Sequence, residues 1–169
     1  MTDPTDLRPG YATNAELRAA LLALNNAHAV ELSLADAARM ELLVERAFVA
    51  ARIGRNAGTL DAALIAFDQD ADYDSANFQW FRARYRRFVY VDRVVTAPEA
   101  RGRGFARKLY AHLFERARAA GHECVVCEVN SDPPNPASEA FHQALGFEPV
   151  GEALLGNGKT VTYLMRIID

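Results

Sequence analysis

The sequence predicts a single mixed α/β (α+β) domain over residues 1–169, with a mostly antiparallel central sheet flanked by helices. Three observations support this prediction: short β-branched and aromatic segments typical of strands, apolar residues that recur every three or four positions between them, and a closing hairpin around Gly156-Asn157-Gly158. The length of 169 residues fits one domain, and hydrophobic residues make up 50% of the chain, which is enough for a sizeable core.

The N-terminal half is predicted to contain two helices, two strands and a third, short helix. Capping residues mark the helix starts, and glycines mark the turn between the strands. In chain order the predicted elements are a helix from Asn14 to about Asn26, a helix opened by Ser33 or Asp36, strands at 48–53 and 60–67, and a short helix after Ser75.

The C-terminal half is predicted to alternate strands and helices before the closing hairpin. Phe105, Leu109, Leu113 and Ala117 recur every four residues and predict one buried helix face. The predicted elements are a strand at 88–96, a helix from about 104 to 120, a strand at 124–129, a helix capped by Asn135 and ended by Gly146, and strands near 147–154 and 159–167.

Composition excludes several classes of protein. The formal net charge of −3 does not fit a nucleic-acid-binding protein, although 11 of the 19 Lys and Arg residues lie between Arg82 and Arg118. This local basic region favours one anionic ligand. The sequence has no apolar run of about 18 residues, as a membrane span needs, and its N-terminus lacks the pattern of a signal peptide. We therefore expect a cytoplasmic protein that binds neither nucleic acid nor membrane.

The two cysteines form a C-x-x-C pair, Cys124 and Cys127, which in other contexts is redox-active or binds zinc. Residues three apart on a strand point to opposite faces, so the two thiols are not expected to bridge. No second pair of cysteines or histidines completes a zinc site. We predict buried strand cysteines and no bound metal.

A glycine loop, residues 96–106, lies between the predicted strand at 88–96 and the following helix. Glycines allow close approach of a ligand to the backbone, and unpaired N–H groups at a helix start bind phosphate. The G-x-G-x-x-G dinucleotide pattern fails because Arg107 takes the place of the third glycine, and the G-K-[S/T] pattern of a P-loop is absent. The loop therefore favours a phosphate-bearing ligand outside these two classes.

Two motifs resemble a known family. Arg101-x-x-Gly104-x-Ala106 is similar to the R/Q-x-x-G-x-G/A motif of the GNAT superfamily, the Gcn5-related N-acetyltransferases. Downstream, residues 135–147 resemble the family's N-x-x-A-x-x-x-Y-x-x-L-G-F segment. The resemblance is specific over residues 88–150. It implies a GNAT-like domain with a splay between the fourth and fifth strands, and a protein that uses acetyl-CoA.

The resemblance also implies where acetyl-CoA would bind. In the family the pyrophosphate sits on the glycine loop, and the pantetheine arm runs beside the fourth strand like an added strand. Carried over, Asn135 would contact the pantetheine arm. The other cofactor-binding residues implied are Val94, Val95 and Thr96 on the strand, and Arg101, Gly102, Arg103, Gly104, Phe105, Ala106 and Arg107 on the loop.

Attack of an amine on a thioester requires a base, because a primary amine with a pKa near ~10 is almost wholly charged at neutral pH. Glu128 is the first candidate, since Cys127-Glu128-Val129 resembles the L-E-V of family members that use this glutamate. Asp92 is the competitor: it lies two residues before Val94, hence on the same face of a regular strand, and it could instead pair with Arg93. A backbone N–H near Val94 or Val95 is expected to bind the oxyanion.

The proton donor to the leaving thiolate is a tyrosine in most members of the family, and His142 stands at that position here. A histidine with a pKa near ~6.5 is mostly neutral at pH 7. Three alternatives stay open: a raised pKa, hydrogen bonding by the neutral ring, or a structural role. Tyr110 and Tyr163 are alternative donors.

The acceptor is predicted to be a primary amine of a small molecule or peptide. Asp72, Tyr73 and Trp80 are the candidate acceptor-binding residues, because carboxylates attract an amine and aromatic faces favour cations. The alternative is helix capping next to buried aromatic residues.

The expected partners are acetyl-CoA and the amine, and a homodimer is an open alternative. Two rival functions are a non-catalytic acyl-CoA sensor and a binding module built on Arg82, Arg84, Arg86 and Arg87.

Overall fold

The computed structural model describes residues 3–28 and 34–168. Its helices are α1 (Arg8–Thr13), α2 (Ala15–Ala27), α3 (Ala37–Arg46), α4 (Ala76–Arg82), α5 (Phe105–Ala119) and α6 (Pro136–Ala144). Its strands are β1 (Thr5–Asp6), β2 (Val49–Ile53), β3 (Ala62–Asp68), β4 (Phe88–Thr96), β5 (Cys124–Asp132), β6 (Glu148–Leu154) and β7 (Thr160–Ile167).

Capping side chains lie at the N-termini of α2, α3, α4 and α6, at the residues that the sequence predicts. Asn14 accepts hydrogen bonds from the backbone of Glu16 and Leu17, and Asp36, Ser75 and Asn135 cap α3, α4 and α6 in the same way. Ser33, the alternative start for α3, lies outside the described residues.

The sequence prediction missed β1 and α1. Two residues of strand and six of helix are too short for a periodic pattern. Leu7 joins them: it is fully buried, and its N–H donates to the Ala50 carbonyl at 2.8 Å. The contact with β2 rather than local sequence therefore forms this N-terminal segment.

Within the described residues the strands form one sheet in the order β1-β2-β3-β4-β5-β7-β6. The β4–β5 pair is parallel and every other neighbouring pair is antiparallel. Helices cover both faces: residues of α1–α4 share one core cluster and residues of α5 share the other. The predicted mixed, mostly antiparallel sheet is confirmed.

The parallel pair separates soon after it begins. Backbone pairing joins Phe88 to Cys124, Val89 to Val125 and Tyr90 to Val126, and no described pair continues it. Both strands run on, β4 to Thr96 and β5 to Asp132. The splay between strands 4 and 5 is therefore present, and it leaves the sheet edge of β4 beyond Tyr90 facing a gap.

A β-bulge at Asp92 changes which way β4 presents its side chains. Ile65 of β3 pairs with Arg93 and the next residue, Ala66, pairs with Val91, so Asp92 is the extra residue. Val91 and Val94 consequently pack with the same core cluster, and Val95 packs with the other. The expectation that Asp92 and Val94 share a face was wrong, because it assumed a regular strand.

Candidate active site

A cavity of about 920 Å³ lies where β4 and β5 diverge. Both strands line it, from Tyr90 to Val94 and from Cys127 to Asn130. Side chains reach it from both faces of the sheet: Asn77 of α4 on one side, and Tyr110 of α5 and His142 of α6 on the other. The two walls of the gap therefore differ in their chemistry: an amide lies on one side, and a phenol and an imidazole lie on the other.

Glu128 presents its carboxylate in this gap. Its neighbours Val126 and Cys127 belong to opposite core clusters, so strand alternation turns Glu128 toward the α1–α4 face. The Tyr90 hydroxyl donates to the carboxylate and lies 2.8 Å from Oε1 and 2.7 Å from Oε2. The Asn77 amide nitrogen donates to Oε1 at 3.0 Å.

The Asn77 amide is itself held in one orientation. The Tyr163 hydroxyl donates to Asn77 Oδ1 at 2.8 Å, which turns the amide nitrogen toward Glu128. The Tyr90 hydroxyl has one hydrogen and lies nearer to Oε2, while the Asn77 amide donates to Oε1, so each carboxylate oxygen keeps accepting capacity for a ligand in the cavity.

The pKa of Glu128 is raised to about 8: burial raises it most, the hydrogen bonds from Tyr90 and Asn77 lower it, and the negative charge of Asp92 also raises it. A carboxylate with a pKa near neutrality is suited to take a proton from an ammonium or amine group.

Asp92 has a different environment, since its carboxylate is already engaged. Arg93 Nε donates to Oδ2 at 2.6 Å and the Tyr73 hydroxyl donates to Oδ1 at 2.5 Å. Arg93 Nη1 also donates to Asn25 Oδ1 of α2 at 2.7 Å. The side chains of Asp92 and Arg93 are only 5% and 7% exposed. This buried network ties β4 to α2 and matches the pairing alternative that the sequence left open.

His142 and Tyr110 form a pair on the α5–α6 side. The Tyr110 oxygen lies 2.6 Å from His142 Nε2, and His142 Nδ1 lies 2.7 Å from the backbone oxygen of Ser138. Burial lowers the pKa of His142, so its ring is neutral at neutral pH. Of the three alternatives for His142, the structure argues against a raised pKa.

The glycine loop has the geometry of an anion cradle. Gly102 and Gly104 have φ of 76° and 77°, a left-handed conformation that side chains rarely adopt. Gly104 is the N-cap of α5, and a Cβ built on either glycine meets no atom within 4 Å. The space beside both glycines, at the start of α5, is therefore open, and phosphate binding there stays a prediction.

The remaining cofactor-binding candidates lie around this loop and the gap. Val94 and Asn135 line the cavity. Val95 is buried and Thr96 is the last residue of β4. On the loop, Arg101 donates to His28 Nε2 at 3.3 Å, Phe105 is buried in the core, Ala106 is half-buried, and Arg103 and Arg107 are exposed. Contact of these residues with acetyl-CoA stays a prediction.

The structure does not bring the three acceptor-binding candidates together. Tyr73 lines the cavity, but neither Asp72 nor Trp80 is among its described lining residues. The Asp72 side chain is 96% exposed and lies 3.9 Å from Arg46. The Trp80 ring stacks on Tyr163, with ring centroids 4.1 Å apart, and the Arg84 guanidinium covers it at 3.9 Å. The acceptor roles of Asp72 and Trp80 gain no support from this placement.

Sequence reasoning missed Tyr90 and Asn77 as functional residues. Tyr90 carried a usable signal, because it lies on the predicted strand beside the candidate Asp92. Asn77 carried no such signal, because α4 reaches Glu128 only through the tertiary fold.

Within residues 3–28 and 34–168, no group of three or more His, Cys, Asp or Glu residues could hold a metal ion. No described helix has the length and apolar character to cross a membrane.

The fold and cavity define a class of proteins in which a parallel strand pair splays apart beside a glycine loop that opens a helix. The model of the Acetyltransferase (GNAT) family matches residues 19–147, and the chain belongs to this family. The family resemblance read from the two motifs is confirmed.

Similar proteins agree with this assignment. The L-amino acid N-acyltransferase MnaT of Escherichia coli (strain K12) is 36% identical over 74 residues, which are 44% of this chain and 39% of that protein. The match therefore spans about two fifths of that relative. The GNAT-family acetyltransferase from Streptococcus pneumoniae has a TM-score of 0.72 at 18% identity and covers 98% of both chains. The yncA protein of Salmonella typhimurium, solved with its cofactor acetyl-CoA, has a TM-score of 0.64 at 21% identity over 90% of this chain and 88% of that one. Both structures share the fold.

Proposed function

We propose that this protein is an acetyl-CoA-dependent N-acetyltransferase that transfers an acetyl group to a primary amine of a small molecule or peptide by direct attack. The observation that carries the proposal is Glu128, a carboxylate with a pKa of about 8 held in the gap between β4 and β5. Membership of the GNAT family and the acetyl-CoA bound to the yncA protein support the choice of donor.

Acetyl-CoA is the co-substrate in this proposal, and the residues present fit it. The open cradle at Gly102 and Gly104 would take the pyrophosphate through the backbone amides of residues 102–107. The pantetheine arm would lie along Val94–Thr96, beside the free edge of β4, near Asn135. Acetyl-CoA supplies the activated thioester.

Glu128 is the proposed base. Its carboxylate would accept the proton that the amine loses as its nitrogen bonds to the acetyl carbon. A backbone N–H of Val94 or Val95 is the proposed oxyanion donor. Asp92 is proposed to hold the wall of the cavity rather than to take a proton, since Tyr73 and Arg93 occupy its oxygens.

The acceptor is proposed as a small amine, and L-amino acids belong in the first test because the name of MnaT describes acylation of L-amino acids. A cytoplasmic location is also proposed, supported by the unpaired thiols of Cys124 and Cys127.

The test is an acetyl-CoA thiol-release screen with L-amino acids, dipeptides, polyamines and aminoglycosides, with acetylated product identified by mass spectrometry. Release that requires both protein and amine supports the proposal. Binding of acetyl-CoA with no release for any amine would favour the acyl-CoA sensor, and no binding of acetyl-CoA would overturn the proposal.

A further inference from the structure

One row of residues crosses the sheet on the α1–α4 face. Glu128 of β5 pairs with Tyr163 of β7, and Tyr163 pairs with Gly151 of β6. Helix α4 presents two residues to this row, Asn77 and Trp80, which are three positions apart and share one helix face. Asn77 donates to Glu128, and Trp80 stacks on Tyr163. The row therefore connects the candidate base to a ring outside the described lining of the cavity.

Gly151 leaves the space that the Trp80 ring occupies over β6 and β7. A Cβ built on Gly151 would lie 2.5 and 2.7 Å from two carbons of this ring, well inside van der Waals contact. The ring stacks on Tyr163 with centroids 4.1 Å apart and an angle of 23° between the planes, and the Arg84 guanidinium lies 3.9 Å from its centre. A side chain at position 151 would therefore displace Trp80 from this stack.

The Asn77 amide can face Glu128 with either its nitrogen or its oxygen. An ionised carboxylate only accepts hydrogen bonds, so it needs the amide nitrogen, which lies 3.0 Å from Oε1. The amide oxygen then faces Tyr163, whose hydroxyl donates to it at 2.8 Å. Without the Tyr163 hydroxyl, the oxygen in this orientation loses that donor. Tyr163 thus favours the ionised form of Glu128, which is the form that works as a base.

Tyr163 contacts Asn77 and is not among the described residues that line the cavity. Its side chain is only 1% exposed, and its one O–H is donated to the Asn77 amide. This geometry gives no support to the alternative that Tyr163 donates a proton to the thiolate. An indirect role, through Asn77, fits the contacts.

We propose that Tyr163 is a positioning residue, which acts on Glu128 by holding the amide nitrogen of Asn77 toward the carboxylate. Trp80 is a positioning residue one contact further away, since it packs on the Tyr163 ring in the space left by Gly151. This inference rests on the proposed function, in which Glu128 is the base. Both residues act on the fraction of Glu128 that is ionised at a given pH, while the proton transfer itself stays with Glu128.

The direction of the effect follows from the surroundings of Glu128. Burial raises its pKa most, the hydrogen bond from Tyr90 lowers it, the charge of Asp92 raises it, and the hydrogen bond from Asn77 lowers it. Loss of the bond from Asn77 should therefore raise this pKa. The titratable groups that interact electrostatically with Glu128 lie on β4, β5, β7 and α5, and they are Tyr90, Asp92, Cys127, Tyr163 and Tyr110.

The kinetic test measures kcat against pH for Tyr163→Phe. The substitution keeps the ring that stacks on Trp80 and removes the hydroxyl, so the rising limb should move to higher pH by about half a unit to one unit. On the alkaline plateau kcat should stay within about twofold of wild type, because the base is fully ionised there. Tyr85→Phe is the matched control, since Tyr85 packs on Phe81 in the same aromatic cluster, and its limb should not move.

A double-mutant cycle tests whether Tyr163 acts through Asn77. In the Asn77→Ala background, Tyr163→Phe should cause no further shift, because the amide that Tyr163 holds is gone. Equal shifts in both backgrounds would overturn the proposal, as would an unmoved limb in Tyr163→Phe. A plateau kcat lowered by about tenfold or more would also overturn it, because Tyr163 would then act on the reacting atoms.

Trp80 is the only tryptophan of the chain, so its fluorescence gives a readout that needs no turnover. Coupling between two sites is reciprocal, so the emission of Trp80 should titrate with Glu128, with a midpoint near pH 8, and this titration should vanish in Glu128→Gln. A wild-type emission that does not titrate would contradict the coupling.

Gly151→Ala tests the place of Trp80 in these contacts. It should change the emission of Trp80 and move the kcat limb to higher pH, and a changed emission with an unmoved limb would remove Trp80 from the proposal. An inactive wild-type protein whose emission titrates with Glu128 would count against the proposed function, not against the positioning role of Tyr163.

Discussion

Tyr90 and Glu128 join β4 to β5 by a hydrogen bond at the point where the backbone pairing of these strands ends. Tyr90 is the last residue of β4 that pairs with β5, and its hydroxyl lies 2.7 and 2.8 Å from the two carboxylate oxygens of Glu128. This one contact therefore lies at the start of the gap and lowers the pKa of the candidate base, which burial raises.

Tyr90→Phe should raise the pKa of Glu128 above about 8, because the hydrogen bond from Tyr90 lowers it. A carboxylate base works in its ionised form, so the rising limb of the kcat–pH profile should move to higher pH by about one unit. Activity at neutral pH should fall by about tenfold and recover in alkaline buffer. An unshifted limb would mean that Tyr90 does not hold the base.

Asp92→Asn should shift the same limb in the opposite direction. The charge of Asp92 raises the pKa of Glu128, so its removal should move the limb to lower pH. The variant also leaves Arg93 buried without its counter-charge, and urea denaturation should show a loss of about 3 kcal/mol. If the folded variant had no activity at any pH, Asp92 rather than Glu128 would be the base.

Glu128→Gln should lower kcat by about 100-fold or more and leave the affinity for acetyl-CoA unchanged, since it removes the base and keeps the shape. Glu123→Gln, an exposed glutamate next to the start of β5, is the matched control. Retained kcat in Glu128→Gln would contradict the proposed mechanism.

The same substitution should affect stability in a pH-dependent way. The folded-state pKa of Glu128 is raised, so its ionisation destabilises the fold as pH rises from about 4.5 to about 8. The melting temperature of Glu128→Gln relative to wild type should therefore increase with pH over this window. A constant difference across the window would mean that the pKa of Glu128 is not raised.

Gly104→Ala should weaken CoA binding by about tenfold, because a side chain at φ of 77° costs about 1–2 kcal/mol and moves the loop away from its binding geometry. Gly158→Ala, in the β6–β7 hairpin, is a control with φ of 85° and equally open surroundings. Calorimetry should show lost affinity for Gly104→Ala only, and equal affinities would contradict the loop assignment.

The sequence predicted the sheet, the helix caps and the family because these depend on local patterns. Residues 14, 36, 75 and 135 cap helices through nearby backbone groups, and the glycine loop acts through its own conformation. Glu128, the candidate base, and His142, the candidate proton donor, both line the cavity because the periodicities of strand and helix place them there.

What could not be predicted depends on contacts between distant segments. The bulge at Asp92 arises from the pairing of β4 with β3, and it changes the face of every later β4 residue. Asn77 reaches Glu128 across 51 positions of sequence, and Tyr110 reaches His142 across 32. Trp80 looked like a cation-binding ring in the sequence, but the folded chain covers it with Tyr163 and Arg84.

The most direct test of the role of Glu128 is the pH dependence of kcat for acetylation of the best amine by the wild-type protein. The proposed mechanism predicts a rate that rises with one ionisation near pH 8 and stays level in mildly alkaline buffer, because Glu128 must be ionised to act as the base. A rate that falls as pH rises from about 6 to about 8 would contradict it, since the essential group would then be a protonated acid rather than the Glu128 carboxylate.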